Sequence, residues 1–545
     1  MEKGKKQSNF IMQAGILAAA GILVRVIGIL YRSPLTAIIG DEGNGYYSFA
    51  YNIYANILLI SSYSIPSAIS KVIAQKLAHH EYRNAQRIFR CALLYVIVVG
   101  GAASLFAYFA APFLVVENAV GVLRVFAPTI FLSGLLGCLR GYFQARRNMV
   151  PTSVSQILEQ IMNAIVSVGA AYLFIRWLAK GSGDTLKAIY GASGSAVGTG
   201  SGVLIALIFM LVIYLRYRPQ EERLIREEDS GALDEYAVIL KNILLVVTPF
   251  ILSTFIYNCS TAVDQTIFSD VIMKTAGIRQ EEAATLYGVF SGKAVVLRNL
   301  PVAIASAMSA AIIPTISGTW SLGQKEDSCK KVSAAMKATM MIAIPGSFGL
   351  LFLARPIVWL LFPQKSSIDL ASHLLMALAF TVIFYCISTI SNGVLQAIGR
   401  VNRPVIHAAI ALVVQAGILY LLLGFSNMGL YALVVAEFVY SVLMCVLNGV
   451  SMRKDMEYKQ EVGRTFLRPA IAALLMGIVA RLIYEGVYAL LKSNALSLCI
   501  ALVCALISYF VLVFLTGAVT AEEVKTFPKG NMILAAARKL HLLKH

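Results

Sequence analysis

The chain has 545 residues, of which 58% are hydrophobic and only 14% are charged, and its mean hydropathy is +0.75. A soluble domain carries roughly 25% charged residues, so the composition excludes a soluble globular protein and predicts an all-α polytopic membrane protein. The net charge of +18 comes from Lys and Arg in short loops between apolar runs, which excludes a nucleic-acid-binding surface and leaves nucleic acid out as a partner.

Runs of about 20 apolar residues, the length that crosses a bilayer, predict about fourteen transmembrane helices. We number them spans 1–14, and they lie near 11–38, 45–69, 88–112, 119–143, 151–176, 188–215, 240–266, 285–317, 332–354, 370–398, 404–424, 428–452, 468–491 and 495–517.

The distribution of basic residues predicts the orientation of these spans. With the N-terminus in the cytoplasm, 32 of the 46 Lys and Arg fall on the cytoplasmic side, 8 in external loops and 6 inside spans. The 32 include Arg140, near the end of span 4, which is counted with the loop that follows. Both termini are therefore predicted to be cytoplasmic. The basic start, MEKGKKQSNF, is interpreted as a retained cytoplasmic segment, and the C-terminal tail either as a helix on the inner leaflet or as a disordered basic segment.

Three sequence matches, with offsets of about 241 to 252 residues, predict two related halves. GYFQARRNMVP (141–151) recurs as GVLQAIGRVNRP (393–404), SIPSAISKVIAQK (64–76) as IIPTISGTWSLGQK (312–325), and GYYSF (45–49) as LYGVF (286–290). We predict two six-helix lobes in parallel repeat, with the substrate site at the lobe interface. The predicted boundaries are an N-lobe at 1–215, a cytoplasmic linker at 216–239, a C-lobe at 240–452, spans 13–14 at 453–517 and a cytoplasmic tail at 518–545.

Charged side chains inside the spans are the candidates for a binding site, because a charge at that depth costs at least a few kcal/mol and faces protein or a water-filled cavity. Arg25 and Arg32 in span 1 are seven residues apart and should share one helix face with Gly28. Lys293 and Arg298 lie in span 8. These four cations, with Arg124 as a further candidate, predict a wall that binds an anion such as phosphate.

Two alternatives remain open for these cations. Arg25 and Arg32 could extend to opposite membrane interfaces, or each cation could pair with an acid inside the membrane, the candidates being Asp41, Glu159, Asp264, Glu437 and Glu485. Arg481 and Glu485, four residues apart in span 13, are predicted to be such a pair and are left out of the site.

Polar residues in spans 2 and 7 extend the candidate site. Asn52 and Asn56, one helical turn apart, are candidates for substrate binding or for helix packing. Tyr46 and Tyr47 are interpreted as an interfacial aromatic belt, and Asp264 as a candidate ion ligand. The sequence contains no Ser/His/Asp arrangement, phosphate loop or metal-ligand spacing, so we predict no catalytic residue, no metal site and no cofactor.

The segment RVIGILYRSPLTAIIGDEGNGYYSFAYNIY, followed by SIPSAISKVIAQK, resembles the polysaccharide-exporter branch of the MATE-like (MOP) flippase superfamily. The resemblance covers essentially the whole chain and is greatest to the group of stage V sporulation protein B and MurJ-type lipid II flippases of Gram-positive bacteria. It matches the family's two arginines on helix 1 to Arg25 and Arg32. Some relatives have a sodium site with acids on helices 7 and 11, and span 11 here has no acid.

The resemblance implies an alternating-access carrier in the bacterial cell membrane, not an enzyme. It would move an undecaprenyl-pyrophosphate-linked sugar, such as lipid II or another cell-wall or sporulation precursor, from the inner to the outer leaflet. The implied partners are that lipid-linked substrate, membrane lipids and cell-wall synthesis proteins. The alternatives are a cation-coupled multidrug exporter, which should have an acidic cavity and twelve spans, and a non-transporting scaffold of wall synthesis.

Overall fold

The computed structural model describes residues 20–21, 23–63, 65–146, 148–228, 233–362 and 364–519. Their regular elements are all helices, and no β-strand occurs within these ranges. The basic start of the chain and residues 520–545 of the predicted tail lie outside the described residues.

Contacts within the chain divide it into two compact units, residues 1–288 and 289–545. The first unit contains a series of helices that ends close to its boundary: α1 (Leu23–Leu30), α2 (Arg32–Leu58), α3 (Ile65–Ala78), α4 (Tyr82–Tyr95), α5 (Gly101–Leu114), α6 (Val120–Ala145), α7 (Val150–Trp177), α8 (Asp184–Glu227), α9 (Tyr236–Thr275) and α10 (Gln280–Val289). Short π-helical segments, Leu59–Tyr63 and Val96–Gly100, follow α2 and α4.

The second unit begins with a π-helical segment, Phe290–Val295, and contains α11 (Val296–Ser321), α12 (Lys325–Phe352), α13 (Ala354–Leu361), α14 (Ile368–Ala397), α15 (Asn402–Phe425), α16 (Tyr431–Met456), α17 (Arg468–Leu491) and α18 (Asn494–Leu515). A further π-helical segment, Gly463–Leu467, precedes α17. Proline stands in the first turn of both α7 and α17, where its missing amide hydrogen costs no helical hydrogen bond.

The chain is a multi-pass membrane protein. Within the described residues, eleven helical stretches are long and apolar enough to cross a membrane, and the bent pair Leu23–Leu30 and Arg32–Ser62 makes twelve. The predicted fourteen spans all overlap helices, including span 7, which α9 covers as a helix of 40 residues. The boundary between the two units lies at residue 288, whereas the sequence placed a linker at 216–239. The predicted division into lobes therefore stays a prediction.

Predicted span 1 is bent in the structure: Arg25 and Gly28 lie on α1, and Arg32 begins α2. The axis bends by 49° between α1 and α2, because Pro34 cannot donate to the carbonyl of Leu30 and its ring crowds that carbonyl. A second kink occurs at Gly40, whose φ of 70° is a conformation that glycine adopts without steric cost. It marks the boundary between predicted spans 1 and 2.

Small residues allow the helices of the first unit to approach closely. A Cβ added at Gly198 of α8 would lie 2.0 Å from Ser167 Oγ of α7, and one at Gly45 of α2 would lie 1.9 Å from the carbonyl oxygen of Ala284 in α10. Close backbone approach of this kind is how transmembrane helices pack without a hydrophobic driving force. The stripe Gly194, Gly198 and Gly202 on α8 is a signal that the sequence analysis did not use.

The repeated motifs make equivalent contacts in the two units. Gly141, at the end of α6, packs against Pro66 at the start of α3, where a Cβ would lie 2.8 Å from the carbonyl oxygen of Pro66. Its counterpart Gly393, at the end of α14, packs against Ser309 of α11, where a Cβ would lie 2.1 Å from Ser309 Oγ. Each glycine thus lets a helix end rest against the helix that carries the matching proline motif.

Candidate functional site

Arg25 and Arg32 lie in different environments in the first unit. Arg25 is exposed on α1 and forms no ion pair with any described residue. Gly28, one turn later, leaves room for Gln160 of α7, whose Nε2 lies 3.2 Å from the position of an added Cβ. Arg32 is partly buried and places its guanidinium 5.8 Å from the ring centre of Tyr47.

The interpretation of Tyr46 and Tyr47 as an interfacial belt is wrong. Their exposed fractions are 0% and 4%, whereas belt residues present their rings to lipid. Tyr46 Oη donates to Glu42 Oε1 over 3.0 Å and accepts from Asn118 over 2.9 Å. Two tyrosines near the end of a span occur both in interfacial belts and in buried cores, so their position in the sequence does not distinguish the two interpretations.

Asn52 holds α2 against α9 and α10. Its Nδ2 donates to Gln265 Oε1 over 2.7 Å and to Tyr287 Oη over 3.2 Å, and Gln265 Nε2 in turn donates to the carbonyl of Phe49 over 3.0 Å. Of the two predicted uses of Asn52, this geometry is the helix-packing one. Gln265 and Tyr287 were missed, although Gln265 directly follows the candidate Asp264.

The side-chain amide of Asn56 is only partly hydrogen-bonded within the described residues. Its Nδ2 donates to the carbonyl of Asn52 over 2.8 Å, one turn back on the same helix. Its Oδ1 is buried and accepts no hydrogen bond from the described residues. A buried acceptor in this state costs free energy, and it suits a hydroxyl or amide donor of a bound molecule.

The polar face of α7 is already occupied by a cation that the sequence analysis assigned to a loop. Arg140 of α6 contacts Glu159 of α7 at 2.7 Å, and its Nε donates to Ser155 over 2.9 Å. Glu159 is therefore not the partner of Arg25 or Arg32. The signal for this pair was the short connection between α6 and α7, which places residues 15 to 19 apart on facing helices.

Asp264 is buried in α9, with 4% of its surface exposed. Within the described ranges, no group of three or more His, Cys, Asp or Glu could hold a metal ion. The assignment of Asp264 as an ion ligand stays a prediction.

Lys293 and Arg298, both in the second unit, have protein partners. Lys293 is completely buried in the π-helical segment Phe290–Val295; its Nζ donates to Ser367 Oγ over 2.6 Å and lies 5.8 Å from the ring centre of Phe362. Arg298 is 6% exposed and forms an ion pair with Glu437 of α16.

The Arg298–Glu437 pair leaves part of the guanidinium unused. The guanidinium carbon lies 4.6 Å from the ring centre of Tyr385, and Nε is a buried donor without a hydrogen-bond partner among the described residues. This is the pairing with an intramembrane acid that the sequence analysis kept as its alternative. Nothing in the arrangement prevents a stronger acceptor from replacing Glu437.

The two other cations inside spans are Arg124 and Arg481. Arg124 is exposed and contacts Tyr108, with Nε 3.4 Å from its carbonyl oxygen and the guanidinium 5.4 Å from its ring centre. Arg481 forms the predicted pair with Glu485 at 2.6 Å, which confirms that prediction. Both side chains of the pair are more than a third exposed.

Among the described residues, the first unit offers Arg25 and Arg32, which form no ion pair there, and the unused acceptor Asn56 Oδ1; the second unit offers two buried cations, Lys293 and Arg298, that contact Ser367 and Glu437. Such groups can bind an anion, since guanidinium forms bidentate hydrogen bonds with phosphate oxygens. Ser451 Oγ lies 3.2 Å from His407 Nε2, and His407 Nδ1 lies 2.7 Å from Asn448 Oδ1, but all three side chains are buried in α15 and α16.

The sequence matches known protein families and relatives. The family model described as polysaccharide biosynthesis protein matches residues 11–320, and the model described as MatE matches residues 294–421. In Bacillus subtilis, stage V sporulation protein B is 22% identical over 542 residues, covering 97% of this chain and 99% of that protein. The lipid II flippase MurJ of B. subtilis is 22% identical over 500 residues, covering 87% of this chain and 88% of that protein.

Solved structures share the fold at low sequence identity. The lipid II flippase MurJ in an inward closed conformation has a TM-score of 0.64 at 15% identity, covering 91% of this chain and 97% of that one. An inward-facing multidrug resistance MATE transporter has a TM-score of 0.62 at 15% identity, covering 82% of this chain and 98% of that one. Because the first family model matches more than half of its residues, the chain belongs to the polysaccharide biosynthesis protein family, as its resemblance to the exporter branch of the MATE-like superfamily predicted.

Proposed function

We propose that this protein is an alternating-access flippase, not an enzyme, that moves an undecaprenyl-pyrophosphate-linked sugar from the inner to the outer leaflet of the cell membrane. Lipid II and related precursors of cell-wall or spore polysaccharides are the substrate class. The support is the family, the named activity of the relative MurJ and the sign of the charges buried in the spans.

The observation that carries the proposal is the state of Arg25 and Arg32. Arg298 and Arg481 pair with acids inside the spans, Glu437 and Glu485 respectively. Arg25 and Arg32 form no ion pair with the described residues, and the nearby acid Glu159 is held by Arg140. Uncompensated charge in a membrane span is costly, so a pyrophosphate that neutralises it is bound strongly.

In this proposal the polar groups of α1 and α2 have different roles. Arg25 and Arg32 bind the pyrophosphate oxygens, and Asn56 Oδ1 accepts a hydrogen bond from a sugar hydroxyl. Asn52 acts as a positioning residue, since both bonds of its Nδ2 go to Gln265 and Tyr287.

Lys293 and Arg298 bind the anion in this proposal only by exchanging their present partners. A pyrophosphate carries more charge than the Glu437 carboxylate, so it can replace that carboxylate on Arg298 without leaving a buried cation unpaired. Ser367 on Lys293 is a neutral partner and is more easily replaced.

The test is binding of lipid II by purified protein. Arg25→Ala removes one or two charge-assisted hydrogen bonds, each worth roughly 1.5–3 kcal/mol, so affinity should fall about tenfold to several hundredfold. Arg25→Lys should restore little, because an ammonium keeps the charge but loses the bidentate geometry. Arg124→Ala is the matched control, since it removes an exposed in-span arginine that contacts only Tyr108. Unchanged lipid II affinity in a stably folded Arg25→Ala protein would refute the assignment.

We extend the proposal to the topology. It comprises fourteen spans, both termini in the cytoplasm, an N-lobe at 1–215 and a C-lobe at 240–452, with spans 13–14 added after the repeat. The 32-to-8 distribution of basic residues between the two sides supports this orientation.

A cation-coupled multidrug exporter is the second candidate function, and the fold match to a MATE transporter favours it. In that case the buried Asp264 would bind the coupling ion. Export of cationic dyes from cells, lost in Asp264→Asn and retained in Arg25→Ala, would support this function over the flippase.

A further inference from the structure

The second unit contains a cavity that none of the groups above uses. It has a volume of about 550 Å³ and lies where α16 ends and the chain turns towards α17. Its wall is built from apolar side chains of several helices, with a polar mouth. The lining side chains used here are Met336, Met452, Phe466, Arg453, Lys459 and Gln460.

The mouth of this cavity is cationic. Arg453 and Lys459 are both exposed, and neither forms an ion pair with a described residue. No acidic side chain lines the cavity. Asp455, two residues after Arg453, pairs instead with Arg400 at 3.9 Å. The cavity therefore presents two positive charges to whatever enters it.

Three polar side chains form consecutive hydrogen bonds, and the last of them, Gln460 at the cavity, has a donor that is not hydrogen-bonded to any described residue. Ser333 Oγ donates to Tyr458 Oη over 3.4 Å, and Tyr458 Oη donates to Gln460 Oε1 over 3.1 Å. Because Oε1 of Gln460 is the acceptor in this chain, Nε2 is a donor at the other end of the amide. That Nε2 is buried and has no hydrogen-bond partner among the described residues.

Backbone conformation keeps these groups in place. Glu457 has a φ of 60°, in the left-handed region that residues with a side chain adopt at a cost. This turn ends α16 and directs Tyr458 into the protein, where only 6% of it is exposed. This helix end therefore places Tyr458 and Gln460 at the cavity.

We propose that this cavity binds an amphiphile with a phosphate head group. The phosphate lies between Arg453 and Lys459 and accepts from Gln460 Nε2, and the apolar part lies against Met336, Met452 and Phe466. Two sources carry this chemistry: an anionic phospholipid of the adjoining leaflet, and a soluble phosphate ester. The site is separate from the proposed flippase site, and only its assignment to the cytoplasmic side rests on the proposed topology.

The neighbouring cavity supplies a matched control. It has a volume of about 350 Å³ and shares Tyr458 and Lys459, but Glu326, Glu457 and Glu461 also line it. There Lys330 is exposed and pairs with Glu326 at 2.8 Å. Lys330→Gln removes a cation from the same face without touching the proposed site.

The experiment measures lipid retained by the full-length protein. Wild type, Arg453→Gln/Lys459→Gln and Lys330→Gln are purified from bilayers of equimolar phosphatidylcholine and phosphatidylglycerol, and bound phosphatidylglycerol is counted by native mass spectrometry. Titration with glycerol phosphate in lipid-free detergent tests the soluble source. Thermal unfolding of each variant confirms that it folds.

We expect wild type and Lys330→Gln to retain phosphatidylglycerol, and the double variant to bind it about tenfold more weakly or worse. Phe466→Ser should weaken binding of phosphatidylglycerol while leaving binding of glycerol phosphate unchanged. If glycerol phosphate binds wild type as tightly as the lipid does, and the double variant no longer binds it, the proposed site is supported with a soluble phosphate ester as its ligand. Equal retention of both probes by wild type and double variant would overturn the proposal, whatever the fate of the flippase assignment.

Discussion

Glu437→Gln is expected to destabilise the protein more than Arg298→Met, although both changes break the same ion pair. Arg298 and Glu437 are 6% and 8% exposed, so removing either partner leaves a buried charge. Such a loss typically costs roughly 3–5 kcal/mol. The two remaining charges differ, however, because a carboxyl can bind a proton and become neutral whereas a guanidinium stays charged.

Replacing both partners, as Arg298→Met/Glu437→Leu, should restore stability to near that of wild type or above it. The assay is the free energy of unfolding in bicelles, measured for all three variants. Glu485→Gln is the matched control, because the Arg481–Glu485 pair is more than a third exposed and such pairs contribute only about 0–1 kcal/mol. A Glu437→Gln protein as stable as wild type would refute the reasoning, as would equal losses of stability in the two single variants. Flipping by the stable double variant would assign Arg298 a structural role, and loss of flipping would assign it to the ligand.

Three further predictions concern packing, an exposed pair and topology. Gly45→Ala should lower the free energy of unfolding by roughly 1–3 kcal/mol or more, since the new Cβ would lie 1.9 Å from the carbonyl oxygen of Ala284. An unchanged melting temperature would contradict the α2–α10 packing. Replacing Arg481 and Glu485 together with leucine should leave lipid II flipping intact, and lost flipping in well-folded protein would bring that pair into the site. In a cysteine-free background, Ser366→Cys should react with an impermeant maleimide in intact cells and Asp327→Cys only after permeabilisation; the reverse pattern would contradict the proposed orientation.

The positions of the helices could be predicted because the bilayer fixes the length of each apolar run. Predicted span 5 (151–176) corresponds to Val150–Trp177, and span 11 (404–424) to Asn402–Phe425. Pro34, four residues after Leu30, is a sequence signal for the bend between α1 and α2. The apolar pattern alone does not reveal this bend, because it continues through it.

The partners of the charged residues could not be predicted in the same way. Arg298 and Glu437 are 139 residues apart, and the sequence offered five acids for each cation without indicating which helices are neighbours. Arg140 was assigned to a loop because it lies near the end of span 4, and its contact with Glu159 depends on how α6 packs against α7. Tertiary packing, not local pattern, decides both pairs.

Polar function and irregular backbone coincide at two places in this chain. Arg32 follows the Pro34-induced bend and precedes the kink at Gly40, while Lys293 lies inside a π-helical segment. Non-helical backbone in a membrane is tolerated only where protein or a water-filled cavity surrounds it, and π-helical turns frequently occur at functional sites. The proposed flippase function requires a cation that is presented to the ligand and later withdrawn, which a straight helix with a complete hydrogen-bond ladder resists. Under that proposed function, the bent α1–α2 pair and the segment Phe290–Val295 are therefore the parts of their units that we expect to move.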